Sequence, residues 1–238
     1  RTDSCLRTLK KQSINYYEGI LGIAEGSNQE LMNIAMLNFR YELLYHAIGK
    51  LQMDAVDGCT SYAVLPEVVS NGHTIMGQNW DWIPDVECAI VGTTAQVGPH
   101  QMAFTEAGIF GGKIGVNSEG LALPVNGMNT TVDDWFRFEK PFHLRCFEVL
   151  RSTTLKNAKE VLTGTPRSCT ANFIVGQAQN TVIDIELAPD IYVQLSPQGG
   201  VLSHANHFTD PDSAEIIEPP NPRRYLSKFR HKHMETLL

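Results

Sequence analysis

The spacing of apolar positions changes character once along the chain, and that change divides it. In the N-terminal part, apolar side chains recur every three to four positions. Tyr16, Ile20, Ile23 and Ala24 make one stripe, and Leu31, Ile34, Leu37, Tyr41 and Leu44 a second. This is the repeat of helices that each bury one face. Gly26 reads as the stop of the first helix, and Ser27-Asn28-Gln29-Glu30 as a capping box opening the second. Gly49 through Gly58 follows as a polar connector, a suitable place for a cut.

From Cys59 onward the repeat shortens to two. Tyr62–Leu65 and His73–Met76 flank Ser70-Asn71-Gly72, and Asn-Gly is a strong hairpin signal. Further strands are predicted at Ala89–Thr94, Gln101–Thr105, Gly112–Asn117 and Gly120–Pro124. Helices are predicted at Phe142–Ser152 and Leu155–Leu162, then strands at Ala171–Gly176, Val182–Leu187, Ile191–Leu195 and Gly200–His204. Glu218-Pro219-Pro220-Asn221-Pro222 reads as a linker before a final helix. Strands, then helices, then strands again indicate a layered α+β domain.

The chemistry begins at the point where the period changes. Cys59 stands behind Gly58 in Val56-Asp57-Gly58-Cys59-Thr60-Ser61, with Gly77-Gln78-Asn79-Trp80-Asp81-Trp82 following. Glycine leaves a carbonyl open to attack and tolerates a strained turn. A thiol there can attack the Gly58 carbonyl, and hydrolysis of the resulting thioester would make Cys59 a new N-terminus. Its α-amine, with an ordinary pKa of about 7.7–8.0, would then be a general base beside its own thiol. A two-residue Asn71-Gly72 turn would set Asp81 opposite Tyr62, about 10 Å of strand from Cys59 and on the other face. Contact between Asp81 and Cys59 therefore requires a bulge or a longer loop.

The Asp-Gly-Cys-Thr and Gly-Gln-Asn-Trp-Asp segments resemble the acyl-CoA:isopenicillin N acyltransferase family, peptidase family C45, of the N-terminal nucleophile (Ntn) hydrolases. Gly22–Gly26 with Leu37–Glu42, Thr105–Ile109 with Gly115–Gly120, Phe173–Gly176, and His204–His207 resemble family segments in the same order. Ser227–Leu238 is similar to a family helix. The resemblance implies a four-layer αββα sandwich with a helical N-terminal pro-segment. Residues 1–58 would form a small subunit after self-cleavage at Gly58–Cys59, and residues 59–238 the catalytic domain, ending short of the family's usual C-terminus. Cys59 would be nucleophile and base, with Asp81 holding its amine and Asn206 donating to the oxyanion. Tyr62, Gln78, Asn79, Asn117 and His204 are supporting or pocket candidates; Gln78 replaces the arginine of the related choloylglycine hydrolases. Trp80 and Trp82 read as packing.

The implied partners are a small acyl donor, an amide or acyl-CoA, an amine acceptor or water, and the chain's own N-terminal fragment. No cofactor is called for, since one residue supplies nucleophile and base. Two other readings stay open: a hydrolase of linear N-acyl or β-alanyl amines without transferase activity, and an uncleaved, non-catalytic binding protein of the same fold.

Composition narrows the field further. The net charge of −7 argues against nucleic acid as a partner, and no window has the roughly 18 apolar residues of a membrane span. The basic run from Arg223 to Lys232 reads as a solvated helix face. Five cysteines without a Cys-x-x-Cys spacing suit neither a disulfide framework nor a zinc site. His204 and His207 lack a third ligand at a convincing spacing, so no metal is expected. Cysteine usage fits a reducing compartment, and with the resemblance favours a cytoplasmic or peroxisomal setting over a secreted one.

Overall fold

The computed structural model describes residues 2–51, 58–178 and 180–238. Four helices open the chain: α1 (Thr2–Gln12), α2 (Ile14–Ser27), α3 (Leu31–Asn38) and α4 (Arg40–Leu51). Strands follow as β1 (Thr60–Val64), β2 (Ile75–Asn79), β3 (Cys88–Thr93), β4 (Gln101–Glu106), β5 (Ile114–Asn117), β6 (Leu121–Leu123) and β7 (Val125–Gly127). Helices α5 (Phe142–Leu150) and α6 (Leu155–Thr163) come next. The chain finishes with β8 (Ala171–Gln177), β9 (Thr181–Leu187), β10 (Tyr192–Leu195), β11 (Val201–His204) and α7 (Arg224–Leu237).

Two antiparallel sheets form. The smaller has the order β11-β1-β2, and the larger β10-β9-β8-β6-β5-β4-β3, with β7 also on β8. Alternation along β8 and β9 sends Phe173, Val175, Ile183 and Ile185 to one face, where they meet Cys146, Val149, Leu150, Ala158 and Leu162 of α5 and α6. The opposite face turns Ile174 and Val182 towards Ala63 and Leu202 of the small sheet. Helix α7 lies against β11 and β1. The layers are thus helix, sheet, sheet, helix, the expected αββα sandwich.

The N-terminal helices share a core with the rest: Cys5, Leu9, Tyr16, Ile20 and Phe39 pack with Leu144 and Phe147 of α5. Their details differ from the sequence reading. Helix α2 runs through Gly26 and ends at Asn28, whose φ of 53° is left-handed. Ser27 bonds back to the Ile23 carbonyl instead of capping the next helix, and Glu30 precedes α3 without a side-chain cap. The expected single second helix breaks at Phe39. Asn38, fully buried, donates to the Ile34 and Gly108 carbonyls and accepts from Tyr16 Oη and the Phe110 amide. These tertiary bonds override the helical repeat, and Leu37 of the predicted stripe is left 38% exposed. Helix α4 continues past Gly49 to Leu51, so the polar connector begins later than expected, and residues 52–57 lie outside the described set.

The hairpin after Cys59 is the correction that matters most. Tyr62 stands opposite Gly77 and Thr60 opposite Asn79. Between the strands lies a long loop with a 3-10 turn at Pro66–Val68, not a two-residue Asn-Gly turn. Strand β7 was not anticipated, because Pro124 interrupts the alternation.

Candidate active site

The long loop sets the register so that Asp81 falls opposite Gly58. The Gly58 amide donates to the Asp81 carbonyl at 3.3 Å, extending the β1–β2 ladder by one more rung. A Cβ on Gly58 would sit 3.2 Å from Asp81 Oδ2, so the carboxylate lies directly over that glycine. Cys59 follows at the head of β1, fully buried.

From the other side comes α7. Arg230 donates from Nη2 to the Cys59 carbonyl at 3.5 Å and to Asn206 Oδ1 at 2.6 Å, and from Nε to Thr60 Oγ1 at 3.2 Å. One turn earlier, Ser227 Oγ accepts the Asn206 amide at 2.8 Å. Asn206 Nδ2 donates to the Gly127 carbonyl at 2.9 Å. An amide nitrogen carries two hydrogens, so Asn206 keeps a second donor while both its ends are held. A cleft of about 250 Å³ is lined by Gly58, Asp81, Gly127, Asn129, Asn206 and Arg230, among others. Larger hollows of about 350 Å³ beside β3 and β4 and about 560 Å³ beside β11 include neither Gly58 nor Asp81. Buried Cys59 is in the wall of none of the three, but the smaller cleft borders the Gly58–Cys59 junction.

Arg230 is the residue that sequence reasoning missed. The basic run is a solvated face at Lys228 and Lys232, which are exposed, but Arg230 turns inward and Arg224 pairs with Glu218. The signal available was the Ser227–Arg230 spacing of one helical turn on a charged helix, which looks the same whether it faces water or a site.

The supporting candidates divide. Gln78 pairs its amide with both backbone groups of Val125, accepting from the Val125 N–H at 2.9 Å and donating to its carbonyl, which ties β2 to β7 across the two sheets. Tyr62 lies over Gly77, where an added Cβ would come within 2.5 Å of the ring, and it is not in the cleft wall. Asn79 is exposed at the end of β2. Asn117 is a buried joint far from this role: it donates to the Leu150 and Ser152 carbonyls and accepts from the Glu119 and Leu121 amides.

His204 belongs to a buried network behind the site. Its Nε2 lies 2.8 Å from Glu186 Oε1 and 3.9 Å from Asp184 Oδ2, and its Nδ1 is 2.9 Å from the Ala205 carbonyl. Burial opposes its charge, but Asp184 and Glu186 prevail and raise it to about 9. It is therefore an imidazolium with acceptors on both nitrogens, not a substrate contact. Among the described residues no group of three His, Cys, Asp or Glu side chains is arranged to hold a metal ion. Cys5, Cys146 and Cys169 are buried thiols whose pKa burial raises, which keeps them unreactive.

A helix–sheet–sheet–helix sandwich with these connections defines the class, that of the Ntn hydrolases. Within it, the chain belongs to the family of acyl-coenzyme A:6-aminopenicillanic acid acyl-transferases, which it matches over residues 69–238. It is 32% identical, over 239 residues, to the 40 kDa form of acyl-coenzyme A:6-aminopenicillanic-acid-acyltransferase of Emericella nidulans. That similarity covers 98% of this chain but 62% of the relative, so the chain spans under two thirds of the relative's length. The Caenorhabditis elegans ortholog of N-acylethanolamine-hydrolyzing acid amidase shares the fold. Its TM-score is 0.55 at 15% identity, covering 66% of this chain and 73% of that one.

Proposed function

We propose that this chain is a self-processing N-terminal-cysteine acyltransferase or amidohydrolase that cuts Gly58–Cys59 and then works through an acyl-Cys59 intermediate. The observation that carries this reading is the setting of the Gly58–Cys59 junction. Asp81 lies over Gly58, and Arg230 donates both to the Cys59 carbonyl and to Asn206 Oδ1.

In self-cleavage the Cys59 sulfur bonds to the Gly58 carbonyl carbon and the C–N bond to Cys59 breaks, giving a thioester and a free amine. Water then attacks the thioester, releasing a Gly58 carboxylate and restoring the thiol. In turnover the freed amine takes the thiol proton as sulfur attacks an amide or acyl-CoA carbonyl. Asn206 supplies its spare N–H to the oxyanion. Asp81 accepts from the ammonium form of the amine, and the leaving amine or thiol collects the proton. An acceptor amine or water then takes the acyl group. The family supports a small acyl donor and an amine acceptor as the substrate classes, with residues 1–58 retained as the second subunit.

Intact-mass analysis of the full-length protein and of Cys59→Ala tests the first step. Two fragments, the second beginning at Cys59 and absent from the variant, are expected; an uncut wild type would sink the mechanism. Turnover of an acyl donor with and without an added amine then separates transferase from hydrolase.

A further inference from the structure

We infer that Lys113 and Arg40 are positioning residues for Asp81, acting through the two tryptophans that flank it. This rests on the reading of Cys59 and Asp81 given above. In extended backbone, neighbours point to opposite sides, so in Trp80-Asp81-Trp82 both rings share the side away from the carboxylate. They meet there, with centroids 5.7 Å apart. Neither indole N–H has a hydrogen-bond partner among the described residues. What orients the rings is cationic. Lys113 Nζ lies 3.4 Å from the Trp80 ring centroid, and the Arg40 guanidinium carbon 5.5 Å from that of Trp82.

Both cations are themselves fixed by one carboxylate. Glu106, 1% exposed, accepts Lys113 Nζ at 2.8 Å on one oxygen and pairs with Arg40 on the other. Lys113 is equally buried. The triad joins three separate elements: Arg40 opens α4, Glu106 closes β4, and Lys113 precedes β5. Cation–π contacts strengthen when desolvated, and here the lysine has no water to turn to. With both tryptophans drawn onto the triad, the residue between them is turned over Gly58. The pro-segment thus supplies, through Arg40, part of what aims the carboxylate. Burial, and then Arg40, lower the Lys113 pKa well below the ordinary lysine range. That makes Lys113→Arg, whose cation does not titrate, an informative conservative variant.

The test is a double-mutant cycle on the rate of Gly58–Cys59 cleavage in full-length protein, followed by intact mass. Glu106→Gln with Lys113→Met removes the buried Lys113–Glu106 pair, and Arg40, which loses its carboxylate, has a side chain 22% exposed and so keeps access to water. It is expected to slow cleavage by roughly 10- to 100-fold, the cost of a misplaced group. Combined with Asp81→Asn it should add little more, because both act through one carboxylate. Lys113→Arg should recover most of the rate. Trp80→Phe and Trp80→Leu, which leave the Arg40–Glu106–Lys113 side chains in place, should slow cleavage in that order at matched thermal midpoints. They supply the answer if the paired variant does not fold. Multiplicative losses with Asp81→Asn, or equal rates for the two Trp80 variants and wild type, overturn the proposal. If wild type itself is uncut, the reading of Cys59 fails and this proposal falls with it. If wild type is cut and Asp81→Asn is slow while the other variants are fast, the proposal alone fails.

Discussion

Gly58 shows how far a single hydrogen atom can matter. A methyl group there would come within 3.2–3.7 Å of the Oδ2, Cβ and Cγ atoms of Asp81. The carboxylate can yield by a few tenths of an ångström, so the fold should tolerate Gly58→Ala. The aim of Asp81 should not: cleavage is expected to slow about tenfold or more, read by intact mass with an unchanged thermal midpoint as control. Asn206→Ala belongs to the same scale. Loss of one oxyanion donor typically costs about 10²–10³ in rate, and the expected signature is a fall in kcat with KM nearly unchanged.

At the scale of elements, α7 decides how Asn206 is held. Ser227 and Arg230 stand one turn apart and grip its backbone and its side chain. Arg230→Lys keeps the charge but cannot reach Thr60, Cys59 and Asn206 together, since lysine lacks the planar fork. Turnover after cleavage should fall by about tenfold or more, and added guanidinium should restore part of it in Arg230→Ala. The elements themselves were largely legible: alternation located ten of the eleven strands among the described residues, and Cys59 and Asp81 stood out as two short motifs. The register that joins them was not. Asn71-Gly72 announces a turn, but the residues around it do not say how long the loop is, and a change of four positions in the pairing moves Asp81 from Tyr62 to Gly58. Arg230 was hidden for a different reason. Its partners Cys59 and Thr60 lie 171 and 170 residues away, and a periodic basic helix carries no mark of which cation turns inward.

The whole molecule should be most stable near neutral pH, because two neighbouring histidines titrate in opposite senses. Their rings are 6.4 Å apart. His204 is raised to about 9 in the folded protein, against about 6.5 unfolded. Its contribution is therefore complete below about 6.5 and is lost as pH rises through about 9. His207 is lowered to about 3 by burial, then by His204 and His231. Its contribution is present above about 6.5 and is lost as pH falls. Thermal midpoints should show His204→Asn lacking the alkaline slope and His207→Asn lacking part of the acid slope. Glu42 and Asp184, raised by burial to about 7 and about 6, act the other way on the acid side. The difference between His207→Asn and wild type is thus the quantity to measure.

The N-terminal helices are not an appendage: Tyr16, Ile20 and Phe39 share one core with Leu144 and Phe147. While the chain is continuous, bringing these parts together is an event within one molecule, and its rate is indifferent to dilution. A cut at Gly58–Cys59 would leave the contacts intact but change the order of the reaction. Unfolding would release two pieces, and regaining the native state would require them to meet. Refolding of the uncut Cys59→Ala protein should then be independent of concentration, while that of the cut wild type should slow in proportion as it is diluted. Maturation of this kind would be a one-way ratchet: it would spend the tether that made assembly easy to obtain the amine that makes catalysis possible.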